Sequence, residues 1–312
     1  MFSKEFINKV IKLNKIYSCK FDEPNNIIIS NIVEIKLSKK DLDEKFNLSF
    51  MDPIIKDWIE HNIKYKLIIE TIDYKLTIYS TSTSTSTNDL VKIVNRCYYG
   101  TINYFNISKS KSKFFLNLTY FMTPLKKQFT SLNKITRFNV NNGQYDPIKN
   151  EITIWRIEEF PKVLVHELIH FFKINIKVKL INCNLIIKED YIENEYELYT
   201  ELNTWLLYQI LFGLNIEKEL EYSMTLAIKI LKMFRKGDKF YINTDSNLLM
   251  YYVYKALILN NIKELDISMN TFNIDMDINK FNEISKNIKL PKLNESLRFM
   301  WSGDTCLSNH HA

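Results

Sequence analysis

The chain has 312 residues, of which 46% are hydrophobic and 25% are charged. These fractions are typical of proteins that fold around a core, and they exclude wholesale disorder. No apolar run approaches the ~18 residues that a membrane-spanning helix requires, so the sequence predicts that the protein does not enter a membrane.

The formal net charge is +6, but only five of the 42 basic residues are arginine. The lysines are spread along the chain, and phosphate recognition favours arginine, so the composition disfavours a nucleic-acid partner. The four cysteines stand far apart without a CxxC pair, and the N-terminus lacks the apolar core of a secretory signal. We therefore expect an intracellular protein.

The predicted elements alternate between helix and strand in the first half of the chain and become mainly helical in the second. In chain order they are a helix over 3–16, strands over 26–37 and 65–80, a helix with Asn88 as its N-cap, strands over 114–122 and 151–156, and helices over 161–173, 192–212, 217–235, 246–260 and 277–287. Residues 140–143 and 146–147 are predicted turns. Residues 80–87 alternate Ser and Thr and read as a linker or a solvated loop. The sequence thus predicts an α+β protein with a mixed α/β N-terminal module over 1–87 and a second domain over 88–312.

The most specific motif is HExxH, formed by His166, Glu167 and His170 inside the predicted helix over 161–173. Residues four apart lie on one face of a helix, so both imidazoles can reach one metal ion. The intervening glutamate can then take a proton from a water molecule and return it to a leaving group.

A hydrolytic zinc site needs a third protein ligand, and the remaining histidines lie in distant segments. Six acidic residues fall between 189 and 201, and two of them, Glu197 and Glu201, adjoin the apolar stripe of Leu198, Leu202 and Trp205. A carboxylate that is partly buried there requires a charge partner, for which a metal ion is a candidate.

HExxH followed by Glu197-Leu-Tyr-Thr-Glu201 resembles the gluzincin branch of zinc metallopeptidases. The resemblance implies Zn²⁺ as cofactor, with His166, His170 and Glu197 as ligands. It implies that Glu201 orients a ligand histidine without itself binding the metal. The reverse assignment of the two glutamates stays open, because both share one helix face. The chain departs from the gluzincin pattern in having Leu198, where that branch has glycine after the third ligand.

The runs IWRIEEFPKVLVHELIHFF and ELYTELNTW also resemble a family of HExxH metalloprotease-like proteins of large DNA viruses, over about residues 114–212. This resemblance implies a viral protein, in the cytoplasm of an infected host cell or in the virion. It also implies a zincin-like domain with a small sheet, an active-site helix and a mainly helical C-terminal half. The strand over 151–156 is then either the sheet edge, where an extended peptide can pair, or an ordinary strand of the sheet.

These observations predict a zinc metallopeptidase that hydrolyses peptide bonds of a peptide or protein substrate, with Glu167 as general base. The alternative is a catalytically silent zincin-like protein with a structural or partner-binding role. The sequence does not decide which group stabilises the developing oxyanion. The candidates are the tyrosines near the third ligand, Tyr191, Tyr196 and Tyr199. Charged residues Arg156, Glu158 and Glu159 precede the motif helix and either orient substrate or are solvated.

Overall fold

A computed structural model describes residues 4–17, 28–46, 50–84, 86–107, 115–129, 134–174, 179–181, 186–187, 195–213, 215–236, 239–242, 249–261, 271–273, 285–286, 288–292 and 296. Within these ranges the α-helices are α1 (Lys4–Tyr17), α2 (Lys39–Phe46), α3 (Pro53–Asn62), α4 (Thr87–Tyr104), α5 (Arg137–Val140), α6 (Phe160–Phe171), α7 (Glu195–Phe212), α8 (Ile216–Met233) and α9 (Lys255–Asn261). A π-helical segment, Leu249–Tyr254, runs directly into α9.

The strands of the described ranges are β1 (Ile28–Ile29), β2 (Val33–Glu34), β3 (Tyr65–Glu70), β4 (Tyr74–Ser80), β5 (Leu116–Phe121), β6 (Gly143–Asp146), β7 (Glu151–Ile154), β8 (Lys179–Ile181), β9 (Ile186–Ile187), β10 (Arg235–Lys236), β11 (Lys239–Ile242) and β12 (Thr271–Asn273). The predicted α+β class is therefore confirmed, with most helices near their predicted positions. The predicted helix over 277–287 lies largely outside the described residues.

One predicted strand is divided in two by a turn. Residues 65–80 form a hairpin of two strands rather than one, since the chain reverses at residues 71–73 and Thr71 bonds back to Tyr74. The Ser/Thr-rich run connects β4 to α4, and its residues 81–84 and 86 are exposed, as expected for a solvated loop.

The chain forms two compact units that interleave along the sequence. The unit that we call the sheet unit comprises Ile16–Lys126, Asn141–Ile174 and Gly303–Ala312. The helical unit comprises Met1–Lys15, Lys127–Val140 and Asn175–Ser302. The division at residue 87 that the sequence suggests stays a prediction.

The sheet unit contains a seven-stranded mixed sheet in the order β1-β3-β4-β5-β7-β6, with β2 also pairing with β3. β4, β5 and β7 are parallel, whereas β3 and β6 run antiparallel to their neighbours. Their inward side chains are apolar and buried, as in Leu76, Leu118 and Ile152. Helices α4 and α6 pack against each other, and α6 also lies against β6 and β7.

The sheet edge next to α6 is β6, so the reading of 151–156 as the edge is wrong and its reading as an ordinary sheet strand is confirmed. β7 pairs with β5 on one side and with β6 on the other, so it is an internal strand. The segment around Gly143 reads as a turn in sequence because it is short and glycine-containing. Its pairing with β7 makes it a strand, and that pairing is not a local property.

Gly143 is required by the close approach of β6 to α6. A Cβ atom at this position would lie 2.8 Å from Cγ1 of Val163 on α6 and 3.2 Å from the Thr153 carbonyl oxygen. Glycine therefore lets the edge strand lie directly against the helix that carries HExxH.

The helical unit is built around α7, in which every residue from Leu198 to Leu211 is buried. The π-helical segment and α9 pack against α7 and α8. Three short strand pairings, β8 with β12, β9 with β11 and β10 with β11, complete the described part of this unit. Gly213, at φ +65°, ends α7 in the left-handed conformation that glycine adopts without strain.

Among the described residues, no helix combines the length and apolarity that crossing a bilayer would require.

Candidate metal centre

The motif helix α6 is held in the sheet unit by apolar packing along its whole length. All of its residues except His170 are buried, and Val163, Leu164, Leu168 and Ile169 supply its apolar contacts. Pro161 lies in the first turn, where its missing N–H is not needed for the helix. The predicted helix, and the placement of HExxH on it, are confirmed.

The two motif histidines face the same point in space. Their Nε2 atoms lie 3.2 Å apart, and their rings meet at 63° with centroids 4.9 Å apart. Two ligand nitrogens on a tetrahedral zinc ion would stand about 3.3 Å apart, given Zn–N bonds of about 2.0–2.1 Å. The pair therefore has the spacing of two ligands of one small cation, and its donors fit zinc.

Burial of the motif is asymmetric. His166 and Glu167 are 8% and 7% exposed, while His170, in the last turn of α6, is partly exposed. A glutamate with so little solvent contact keeps most of its electrostatic strength, because water screens it poorly. The open side of the motif is therefore the His170 end of the helix.

The end of α6 is fixed by its own backbone. Lys173 adopts a left-handed conformation at φ 49°, its N–H donates to the His170 carbonyl, and the Ile174 N–H donates to the Ile169 carbonyl. This is the hydrogen-bond pattern of a Schellman cap. His170 thus stands on a closed helical turn rather than on a frayed end.

The segment that precedes the motif helix belongs to a buried polar network. Arg156, only 3% exposed, donates from Nη1 to the Asn141 carbonyl (3.1 Å) and to Asn142 Oδ1 (2.8 Å). Asn142 donates in turn to the Glu158 carbonyl, and Trp155 Nε1 donates to the Asn141 carbonyl. These bonds tie the residues before β6 to the residues before α6.

The burial of the segment before α6 corrects one expectation. Arg156, Glu158 and Glu159 are 3%, 4% and 0% exposed, so they are not the solvated charges that their position before a helix suggests. Glu159 also holds a left-handed backbone at φ 61°, which is uncommon outside glycine and asparagine. The contacts of Arg156 described here are structural.

The two predicted glutamates lie on α7 in the helical unit, and their surroundings differ. Glu197 is partly exposed, and its Oε2 accepts a hydrogen bond of 3.2 Å from the Tyr251 hydroxyl. Glu201 is fully buried, and its Oε1 lies 2.9 Å from Nζ of Lys255, which is itself 1% exposed. Glu197 thus meets a neutral donor, and Glu201 meets a cation.

Sequence reasoning missed Tyr251 and Lys255, which contact the two predicted glutamates. They lie 54 residues beyond the glutamates that they contact, in a segment whose apolar pattern indicates only a helix. Tyr191 lies outside the described residues, while Tyr196 and Tyr199 lie on α7 beside Glu197. Burial raises the pKa of Tyr196 above its usual value and that of Tyr199 to about 12, so both stay neutral near pH 7.

A comparison with known proteins identifies no relative, since no family model, no curated protein and no solved structure matches this chain.

Proposed function

We propose that the protein is a zinc-dependent metallopeptidase whose metal ion is held by His166, His170 and Glu197. The observation that carries this proposal is the histidine pair on α6, with Nε2 atoms 3.2 Å apart and Glu167 between them in sequence. Among the described residues, these two histidines and Glu197 form a group that could hold a metal ion, each offering one ligand atom.

The donor set suits catalysis better than a purely structural role. Two imidazoles and one carboxylate are the protein ligands of hydrolytic zinc sites, which keep a fourth position for water or substrate, whereas structural sites close with four ligands. Bound there, zinc would polarise the scissile carbonyl and lower the pKa of a water molecule.

Glu167 is the proton carrier of the proposed reaction. Its carboxylate accepts a proton as the water oxygen bonds to the carbonyl carbon of the scissile peptide. The same proton then passes to the amide nitrogen and the C–N bond breaks. The products are a carboxylic acid and an amine, and proton transfer between them gives a carboxylate and an ammonium.

The substrate pairs with β6 in this proposal. The Asn142 carbonyl accepts from the Trp155 N–H, so alternation along the antiparallel pair directs the backbone groups of Gly143 and Tyr145 away from β7. In the described part of the chain, β6 is the outermost strand at this end of the sheet. An extended peptide can therefore pair with β6 as the next strand. Its backbone would form hydrogen bonds with the N–H and C=O groups of Gly143 and Tyr145.

Cleavage of a peptide library by the zinc-loaded protein tests the proposal, with Glu167→Gln as the matched variant. We expect cleavage by the wild type and a turnover lower by at least about 10²-fold in Glu167→Gln, because the general base is lost. Zinc content should be equal in both. Equal cleavage by both proteins would exclude Glu167 as the base. A zinc-loaded wild type that cleaves no peptide would favour the catalytically silent alternative.

A further inference from the structure

The two glutamates of α7 are contacted by a single later segment of the helical unit. Tyr251 and Lys255 are four residues apart, as are Glu197 and Glu201, and each donor bonds one glutamate. Tyr251 belongs to the π-helical segment, and Lys255 opens α9. Single π-helical turns inside helices are frequently found at functional sites.

The two donors have opposite consequences for cation binding. The ammonium of Lys255 compensates the charge of Glu201, so a second cation gains little from that carboxylate. The hydroxyl of Tyr251 is a neutral donor, so this hydrogen bond orients Glu197 without adding a positive charge beside it. The same segment therefore gives Glu201 a compensating cation and gives Glu197 a neutral donor.

We propose that Tyr251 is a positioning residue for the metal ligand Glu197 and that its hydrogen bond raises the affinity of the site for zinc. This inference rests on the metal site of the proposed function. Binding an ion costs a partly exposed glutamate part of its rotamer freedom. The hydrogen bond from Tyr251 removes part of this cost before the ion arrives.

The test is the zinc affinity of the metal-free full-length protein, measured by competition with a chromophoric chelator. Tyr251→Phe removes only the donor, and we expect zinc binding weaker by about 10- to 100-fold. The matched control is Tyr74→Phe. It removes the hydroxyl that donates to Asn95 Oδ1 at 2.7 Å, in the core of the sheet unit. The control should bind zinc as the wild type does.

Two further measurements separate positioning from general stability. The thermal midpoint of each metal-free variant reports loss of fold independently of zinc. The visible absorption of bound Co²⁺ should change in Tyr251→Phe and not in Tyr74→Phe, because only the first removes a hydrogen bond to a proposed ligand. In a Glu197→Gln background, adding Tyr251→Phe should weaken zinc binding little further, since the two residues act as a pair.

Several results would overturn this inference. Equal zinc affinity of Tyr251→Phe and the wild type would overturn the inference on Tyr251 without contradicting the proposed metal site. An equal loss in the Tyr74→Phe control would assign the effect to stability. A lower turnover with unchanged zinc affinity would assign Tyr251 to the substrate instead. A wild type that binds no zinc would overturn the inference together with the metal site of the proposed function.

Discussion

At the scale of single residues, the surroundings of Glu197 and Glu201 differ, and this difference bears on two assignments that the sequence leaves open. Both lie on α7 one turn apart, so spacing alone treats them alike. Burial of Glu201 against Lys255 gives it a structural partner, whereas Glu197 has the hydroxyl of Tyr251. This contrast supports Glu197 as the ligand.

Exchange of each glutamate for glutamine tests that assignment. Glu197→Gln should lower zinc affinity by more than about 100-fold, because even residues behind the ligands contribute 10- to 100-fold. Glu201→Gln should keep the zinc affinity of the folded protein but lower the free energy of unfolding by about 3–5 kcal/mol, since Lys255 is left buried without its carboxylate. Chelator competition and denaturant unfolding measure the two quantities.

The matched control for the second effect is the double variant Glu201→Gln with Lys255→Met. Removing both charges should recover most of the lost stability, because no buried ion then lacks its partner. The assignment fails if Glu201→Gln loses zinc while Glu197→Gln retains it.

At the scale of elements, the contact between β6 and α6 sets the edge strand beside the motif helix. Val163 is β-branched, so its side chain has little rotamer freedom in a helix and cannot swing away from a new atom at position 143. The contact therefore depends on glycine at this position.

Gly143→Ala should lower the free energy of unfolding by about 1–3 kcal/mol, the usual cost of overpacking. Denaturant unfolding measures it. The double variant Gly143→Ala with Val163→Ala should be less destabilised than the sum of the two single variants, since the second change removes the clashing methyl group. Simple additivity would show that the contact between β6 and α6 is not the cause.

The same element shows what can be predicted from sequence and what cannot. HExxH on a buried helix follows from spacing and apolar periodicity, which are local, and the structure confirms both. The identity of β6 depends on pairing with β7, and the roles of Tyr251 and Lys255 depend on contacts 54 residues away. Local patterns carry no information on such contacts, so the edge strand and the partners of the glutamates emerge only from the folded chain.

At the scale of the whole molecule, the core contains tyrosines that bind their protons more tightly in the folded state. Burial, followed by the charge of Glu151, raises the pKa of Tyr79 to about 12. Burial is also the largest cause of the raised pKa values of Tyr74, Tyr98, Tyr99 and Tyr120. In the unfolded chain these phenols lose their protons near pH 10.

Stability should therefore fall as the pH rises from about 10 to 12, where the unfolded state has lost protons that the folded state retains. Thermal unfolding across this range measures the effect, alongside the phenolate absorbance. Tyr79→Phe should flatten the decline, because one of the raised groups is gone. A thermal midpoint that stays constant from pH 9 to 12 would contradict this prediction.

HExxH on α6 and Glu197 on α7 are proposed to hold one zinc ion, and the metal content of the purified protein tests this most directly. Elemental mass spectrometry should find about one zinc per chain in the wild type and in Glu167→Gln. It should find almost none in His166→Ala or His170→Ala. Absence of zinc from the wild type after reconstitution, or full retention in both histidine variants, would contradict the proposed site.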